Sequence, residues 1–275
     1  MLTKVFAPAK VNLTLHVTGQ RKDGYHLLDS LVVFADVGDR VSVMETEEMR
    51  LDVTGPMASG VPTDQSNLVW RAAALFDRPV AITLSKYLPA AAGIGGGSSD
   101  AAATLLAMSD LTGQTRLPEG SVELGADVRV CLMRRASRMQ GIGEVVEPVP
   151  NLPPLFAVLA NPRVEVPTPA VFKALTAKEN PPMALKLPKW QGTRILIDWV
   201  ASQRNDLEAP AIAAAPIIAD VIASLAALPG ARLARMSGSG ATCFALFDTR
   251  EAADAAAATL AQAQPEWWVT PATFS

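Results

Sequence analysis

Alternating apolar and polar residues mark the N-terminal part of the chain. Val11, Leu13, Leu15 and Val17 alternate with polar side chains, which is the two-residue period of a half-buried strand. A polar turn is predicted to follow at residues 19–24. Apolar runs then predict strands at Leu31–Phe34, Val41–Met44, Met49–Val53, Val80–Leu84, Val128–Leu132 and Val145–Val149.

Helical patterns separate some of these strands. Asn67–Phe76 is predicted to be a helix capped by Ser66, and the alanine-rich segment Ala101–Met108 is predicted to be another. Asp100 is interpreted first as the cap of the second helix and, as the alternative, as a group close to a metal ion. Two prolines in Asn151–Pro154 mark the predicted boundary between domains 1–152 and 153–275. Beyond it the predicted order is a strand at 155–159, helices at 168–175, 193–203 and 216–228, strands at 232–236 and 242–247, and a helix at 250–263. Mixed helices and short strands predict an α+β fold.

Composition narrows the class of protein. The 275 residues are 49% hydrophobic and 19% charged, with a net charge of −3, so a globular core is expected without metals or disulfides. This balance predicts no nucleic-acid or membrane partner. The apolar stretch Ala209–Ala231 contains prolines and an aspartate, and is interpreted as a buried helix that starts near Pro216. Only Cys131 and Cys243 could form a disulfide, and they lack metal-ligand spacing, so a cytoplasmic location is expected.

A glycine-rich loop is the strongest chemical signal. Four glycines fall within the five residues 93–97, directly before a predicted helix. Such a loop lets backbone N–H groups converge, and the helix adds its unsatisfied first N–H groups and the positive end of its dipole. The combination is typical of a polyphosphate site. It is neither a P-loop, since no lysine follows, nor a dinucleotide loop, since position 98 is serine. Taken alone, the loop could also be a tight helix entry.

The segment Pro89–Ala102 resembles the phosphate-binding motif of the GHMP kinases. Pro8–Leu13 resembles their first motif and Met236–Thr242 their third. The three motifs occur in the family's order over almost the whole chain. The resemblance implies a two-domain α+β fold with the active site in the interdomain cleft, and ATP and Mg²⁺ as cofactors. The ATP-binding residues it implies are Pro89, Ala90, Ala91, Ala92, Gly93, Ile94, Gly95, Gly96, Gly97, Ser98 and Ser99.

Further segments resemble one branch of this family, of which the most diagnostic is Asp23-Gly24-Tyr25-His26. Others are Leu124–Val128, Gly141–Glu144 and Arg204–Glu208. This branch phosphorylates the 2-hydroxyl of a CDP-linked methylerythritol in non-mevalonate isoprenoid synthesis, so a CDP-linked alcohol is the implied substrate. Arg129, Arg134 and Arg135 depart from the pattern of the branch, which has proline at the first position and more glycine at the other two.

The resemblance also implies roles for single residues. Asp127 is the candidate base and Lys10 the cation beside it, which would favour the ionised carboxylate and stabilise charge near the hydroxyl. Asn12 is a candidate substrate residue, although it could simply close a hydrogen bond on its strand. Tyr25 and His26 are predicted to bind the cytosine, with a buried tyrosine and a capping histidine as the structural alternative.

Two other functions compete with this prediction. A different GHMP kinase, of the homoserine or mevalonate type, would share the three motifs but not the segment Asp23–His26. A catalytically silent ligand sensor on the same scaffold would have no need of Lys10, Asp127 and the glycine loop together.

Overall fold

The structure, a computed structural model, describes residues Leu2–Ser275. Within that range the chain forms eleven strands and eight helices. The strands are β1 (Leu2–Asn12), β2 (His16–Gln20), β3 (His26–Glu45), β4 (Arg50–Thr54), β5 (Val80–Ser85), β6 (Ser137–Gly141), β7 (Val145–Pro148), β8 (Leu155–Asn161), β9 (Leu233–Met236), β10 (Cys243–Phe247) and β11 (Trp268–Phe274). The helices are α1 (Leu68–Ala74), α2 (Gly96–Thr112), α3 (Val128–Met133), α4 (Thr168–Lys173), α5 (Thr193–Ala201), α6 (Glu208–Ala214), α7 (Ile217–Ala226) and α8 (Arg250–Ala263).

The chain forms two compact units that are interleaved in sequence. Unit 1 comprises the N-terminal segment up to Lys10 together with Val37–Ala90 and Gly95–Arg134. Unit 2 comprises Val11–Asp36, Ala91–Ile94 and Arg135–Ser275. The linear boundary at 152/153 stays a prediction. The two units are not separated at one point of the sequence, because the chain passes from one to the other several times.

Unit 1 is built on the second half of β3. There β5 pairs antiparallel with β3, through Val43↔Ile82, and parallel with β4, through Leu51↔Ile82. One face of these strands is buried under α1 and α2, because every second residue of a strand points to the same side. Leu105 and Met108 of α2 are fully buried in this core.

Unit 2 has β8 as its central strand. β8 pairs antiparallel with β10 on one side and β11 on the other, so that Ala157 faces both Leu246 and Ala272. Helices α7 and α8 contribute Val221 and Leu260 to the core beneath this sheet. The first half of β3 pairs with β2 and β6, and this part of β3 begins at His26, one of the candidate substrate residues.

Most predicted elements are confirmed, and α8 has the predicted limits of residues 250–263. The predicted strand Val128–Leu132 is wrong, because these residues form α3. A five-residue apolar run fits a strand or a buried helix turn equally well. The helical form buries Val128, Val130 and Cys131 and leaves Arg129 exposed.

Both predicted helix caps are also wrong. Asn67, not Ser66, caps α1, and its Oδ1 accepts the Val69 N–H at 2.9 Å. The helix α2 begins at Gly96 rather than Ala101, so Asp100 lies inside its first turns and Gly95 occupies the cap position. The predicted strand over residues 11–17 is divided, because β1 ends at Asn12 and β2 begins at His16. Sequence analysis did not predict β6, α6 or β11; in β11 the residue Pro271 breaks the pattern expected of a strand.

The stretch Ala209–Ala231 contains α7, whose ten residues begin directly after Pro216, as predicted. Over residues 2–275, no helix combines the length and the apolar character needed to cross a bilayer.

Candidate active site

The ion pair of Lys10 and Asp127 lies in unit 1. Lys10 is on β1, and Asp127 immediately precedes α3, at the position of its N-cap. The Nζ of Lys10 is 2.9 Å from Oδ2 of Asp127. The lysine side chain is 5% exposed, whereas that of Asp127 is 28% exposed. The carboxylate is therefore held by a buried cation while part of it faces solvent and is accessible to a substrate.

The N-terminus of α2 lies against this lysine. Gly95 has φ of 61° in the left-handed region, and a Cβ there would lie 3.1 Å from the Lys10 Cβ. Glycine is therefore required for two reasons, backbone conformation and close approach. The Ser99 N–H donates to the Gly95 carbonyl at 2.8 Å, and the Ser99 hydroxyl donates to the Pro8 carbonyl at 2.7 Å. The N–H groups that precede Ser99 in the first turn belong to the set without intrahelical acceptors.

The remaining part of the glycine loop belongs to unit 2, where it contacts the third motif. A Cβ on Gly93, whose φ is 72°, would lie 2.5 Å from the Ser237 carbonyl oxygen. The Ser237 hydroxyl donates to the Gly93 carbonyl at 3.0 Å, and the Thr242 N–H donates to the Ala92 carbonyl at 3.0 Å. Serine and glycine in the third motif thus permit a backbone-to-backbone approach that larger residues would prevent.

Asn12 is also in unit 2 and is 2% exposed. Its N–H donates to the Ser237 hydroxyl at 3.0 Å, and its Nδ2 donates to the Ser30 hydroxyl at 2.7 Å. Its Oδ1 would lie 3.3 Å from a Cβ on Gly238. The structure therefore brings Asn12 together with the third motif, and the hydroxyls of Ser237 and Ser30 already occupy its backbone N–H and its amide nitrogen.

Tyr25 and His26 lie at the start of β3, in unit 2. Tyr25 is 62% exposed, which contradicts the alternative of a buried tyrosine. The His26 ring stacks on Phe172, with centroids 4.9 Å apart and planes 22° apart. Burial, and then the charge of Lys178, lower the pKa of His26. Its Nε2 is buried and, among residues 2–275, has no hydrogen-bond partner.

The comparisons with known proteins identify the family of the chain. Residues 67–139 match the profile of the GHMP kinase N-terminal domain, and residues 194–266 match that of the GHMP kinase C-terminal domain. A 4-diphosphocytidyl-2-C-methyl-D-erythritol kinase of Cereibacter sphaeroides is 58% identical over 278 residues, which cover 100% of both chains. One of Dinoroseobacter shibae is 59% identical over 97% of this chain and 93% of its own.

The chain belongs to the GHMP kinases. Among solved structures, a 4-(cytidine 5'-diphospho)-2C-methyl-D-erythritol kinase superposes with a TM-score of 0.80 at 34% identity, covering 99% of both chains. A homoserine kinase of Cytophaga hutchinsonii superposes with a TM-score of 0.66 at 18% identity, covering 100% of this chain and 94% of its own. The second likeness concerns the fold alone. The predicted two-domain α+β GHMP kinase fold is confirmed.

One departure from the family pattern has a structural explanation in this GHMP kinase. Arg134 ends α3 with φ of 48°, the left-handed conformation that favours glycine. Its Nη2 donates to the Phe6 carbonyl at 2.6 Å, a contact that glycine could not make. Nothing in the structure explains the arginines at 129 and 135.

Sequence analysis missed a buried charge cluster in unit 1, here called the charge triad: Asp39, Lys86 and Asp100. The Nζ of Lys86 contacts Oδ2 of Asp39 and lies 2.9 Å from Oδ2 of Asp100. All three side chains are at most 4% exposed. Their separations of 47 and 14 positions along the chain gave no local motif, so only the tertiary structure reveals the cluster.

The triad contains two carboxylates and one ammonium. Burial is the largest effect on Asp100 and raises its pKa to about 7; Asp39 adds to the rise and Lys86 opposes it. Burial by itself would lower the pKa of Lys86, but Asp100 and Asp39 outweigh it and the net shift is upward. The lysine therefore stays protonated, and Asp100 takes up the proton that makes the cluster neutral.

This raised pKa predicts a pH dependence of stability. The folded protein keeps a proton on Asp100 up to about pH 7, whereas the unfolded chain releases it near 3.8. The stability that Asp100 contributes is therefore greatest below pH 4 and is lost as the pH rises to about 7. Asparagine mimics the protonated form, so the melting temperature of Asp100→Asn should rise relative to the parent between pH 4 and 8. Melting curves over that range test this, and a constant difference would contradict it.

Proposed function

We propose that this GHMP kinase transfers the γ-phosphoryl group of ATP to the 2-hydroxyl of 4-diphosphocytidyl-2-C-methyl-D-erythritol. The observation that carries the proposal is the Lys10–Asp127 pair, 2.9 Å apart, in the same unit as a glycine-capped helix N-terminus that lies against Lys10. The pair supplies a base and a cation, and the helix end supplies an anion site. The 58% identity over the full length to a kinase named for this substrate supports the choice of acceptor.

Asp127 would accept the proton of the 2-hydroxyl while that oxygen forms a bond to the γ-phosphorus. The bond from the γ-phosphorus to the bridging oxygen breaks, and ADP leaves with its electron pair. Such transfer needs little covalent chemistry from the protein, so positioning and charge stabilisation dominate. The ammonium of Lys10 would stabilise negative charge at the attacking oxygen. Its position is fixed, because the buried side chain cannot move away without losing its counter-ion Asp127.

The ATP phosphates would bind the first-turn N–H groups of α2 and the loop from Pro89 to Ser99. Mg²⁺, when bound, would neutralise charge between the phosphates. Among residues 2–275 there is no cluster of three metal-ligating side chains, which fits an ion held mainly by phosphates and one or two protein oxygens. The Ser98 hydroxyl, in the first turn of α2, would supply one of those oxygens.

The cytosine would bind at Tyr25 and His26. The exposed ring of Tyr25 offers a stacking face, and the His26 edge offers the unpartnered Nε2. A buried polar atom without a partner costs about 1–3 kcal/mol, which a pyrimidine edge would recover on binding. The reaction is proposed to take place in the cytoplasm. Both cysteines are buried, free thiols, which suits a reducing compartment.

The first test concerns the base. Asp127→Asn keeps the size of the side chain but removes the proton acceptor, so kcat should fall by about 10²–10⁴-fold. The dissociation constant for ATP should change little, because the base acts on the proton and not on the nucleotide. Asp110→Asn, the same change at an exposed position of α2, is the control and should keep the parent rate. A folded Asp127→Asn protein with near-normal turnover would remove Asp127 from the mechanism.

A second test concerns the cytosine. Tyr25→Ala should raise the KM for the CDP-alcohol about tenfold or more, since stacking on an aromatic ring contributes roughly 1–3 kcal/mol. The matched variant Tyr25→Phe keeps the stacking face and should stay close to the parent. His26→Ala should raise the same KM because it removes the imidazole edge.

In all three variants the KM for ATP should remain within about twofold of the parent, since neither Tyr25 nor His26 belongs to the proposed ATP-binding segment Pro89–Ser99. Steady-state kinetics with each substrate varied in turn give both constants. Equal losses for ATP and for the CDP-alcohol, or no loss for either, would contradict the cytosine assignment.

A further inference from the structure

The glycine loop of this kinase contains no lysine, yet the structure places one next to it. A Cβ on Gly96, the first residue of α2, would lie 3.6 Å from the Nζ of Lys86. A cation at this place could bind the ATP phosphates directly. Alternatively, it could hold the backbone that binds them. The contacts of Lys86 distinguish these two roles.

Lys86 is 3% exposed and its ammonium is already engaged by two carboxylates, those of Asp39 and Asp100. Removing the buried ammonium would leave the Asp39 carboxylate uncompensated and Asp100 without its hydrogen-bond partner, which is costly in a poorly solvated environment. The charge of Lys86 is therefore already compensated by groups of the protein itself. These contacts favour a role that acts through the neighbouring backbone over direct binding of phosphate.

The triad contacts the chain on both sides of the loop. Before it, Oδ1 of Asp39 accepts the N–H groups of Tyr87 at 2.5 Å and Leu88 at 2.9 Å. After it, Asp100 lies in the first turns of α2 and receives the Lys86 ammonium. The segment from Pro89 to Ser99, which is the proposed ATP-binding segment, thus begins and ends beside the same ammonium.

We propose that Asp39, Lys86 and Asp100 are positioning residues for ATP: they fix both ends of the glycine loop and so set the direction of the first-turn N–H groups of α2. The inference rests on the proposed function, because it takes those N–H groups as the phosphate ligands. Directional contacts suit this task, since a shift of about 1 Å in a binding group can cost 10²-fold in rate. An apolar contact would hold the same segments together without fixing their orientation.

The experiment measures ATP binding and steady-state kinetics for three variants. Asp100→Ala removes the contact to Lys86 and should raise the dissociation constant for ATP, measured without the acceptor, by about tenfold or more. The KM for the CDP-alcohol should stay within about twofold, a split that general destabilisation would not produce. Asp100→Asn keeps an acceptor for Lys86 and should recover most of the ATP affinity. Leu105→Ala opens a cavity in the same helix without touching the triad, so it should lower the melting temperature and leave ATP binding unchanged.

Parent-like ATP affinity in Asp100→Ala would overturn the inference, as would an equal loss in Leu105→Ala. Should Asp100→Ala fail to fold, Asp39→Ala removes the acceptor of the Tyr87 and Leu88 N–H groups at the other end of the loop and should also weaken ATP binding selectively. Gly96→Val separates this inference from the proposed function, because it obstructs the phosphate site itself. If Gly96→Val binds ATP normally, the phosphate site is misassigned; if it alone binds poorly, only the role of the triad is wrong.

Discussion

The contact between the ammonium of Lys10 and the carboxylate of Asp127 is the constraint on which the candidate active site depends. A lysine with 5% of its side chain exposed needs an anionic partner, and the partner must also reach solvent to meet a substrate. The chain satisfies both needs by placing Lys10 on β1 and Asp127 at the N-cap of α3. Gly95 then has to be glycine, since any Cβ there would press against the Lys10 side chain.

The glycines of the third motif follow from a similar constraint in unit 2. A Cβ on Gly238 would lie 2.8 Å from the Gly93 carbonyl oxygen. Asn205 holds this motif in place, because its Nδ2 donates to the carbonyls of Met236 and Gly238, each at 2.9 Å. The Asn205 side chain thus explains why the segment Arg204–Glu208 accompanies the three motifs: it fixes the backbone that the glycine loop touches.

Local patterns predicted much of this fold, and the resemblance to the GHMP kinases implied the pairing of Lys10 with a residue 117 positions away. What local patterns could not predict depends on tertiary contacts. The run Val128–Leu132 has the alternation of a strand but folds as a helix, and because both forms bury Val128 and Val130 the local pattern could not distinguish them. Asp100 follows a glycine loop, as a helix cap often does, but the helix starts earlier and the carboxylate turns toward Lys86. Phe172, which stacks on His26, belongs to no motif that the sequence revealed.

The identity of the acceptor is the central claim, and ATP-dependent phosphorylation of a panel of alcohols tests it most directly. The panel contains 4-diphosphocytidyl-2-C-methyl-D-erythritol, mevalonate and homoserine, each at matched concentration with ATP and Mg²⁺. Our account predicts turnover of the CDP-linked alcohol, with kcat/KM for the other two lower by at least about 10²-fold. Mevalonate and homoserine have no cytosine, so the polar groups that bind it would find no hydrogen-bond partner. Equal or faster phosphorylation of mevalonate or homoserine would contradict it.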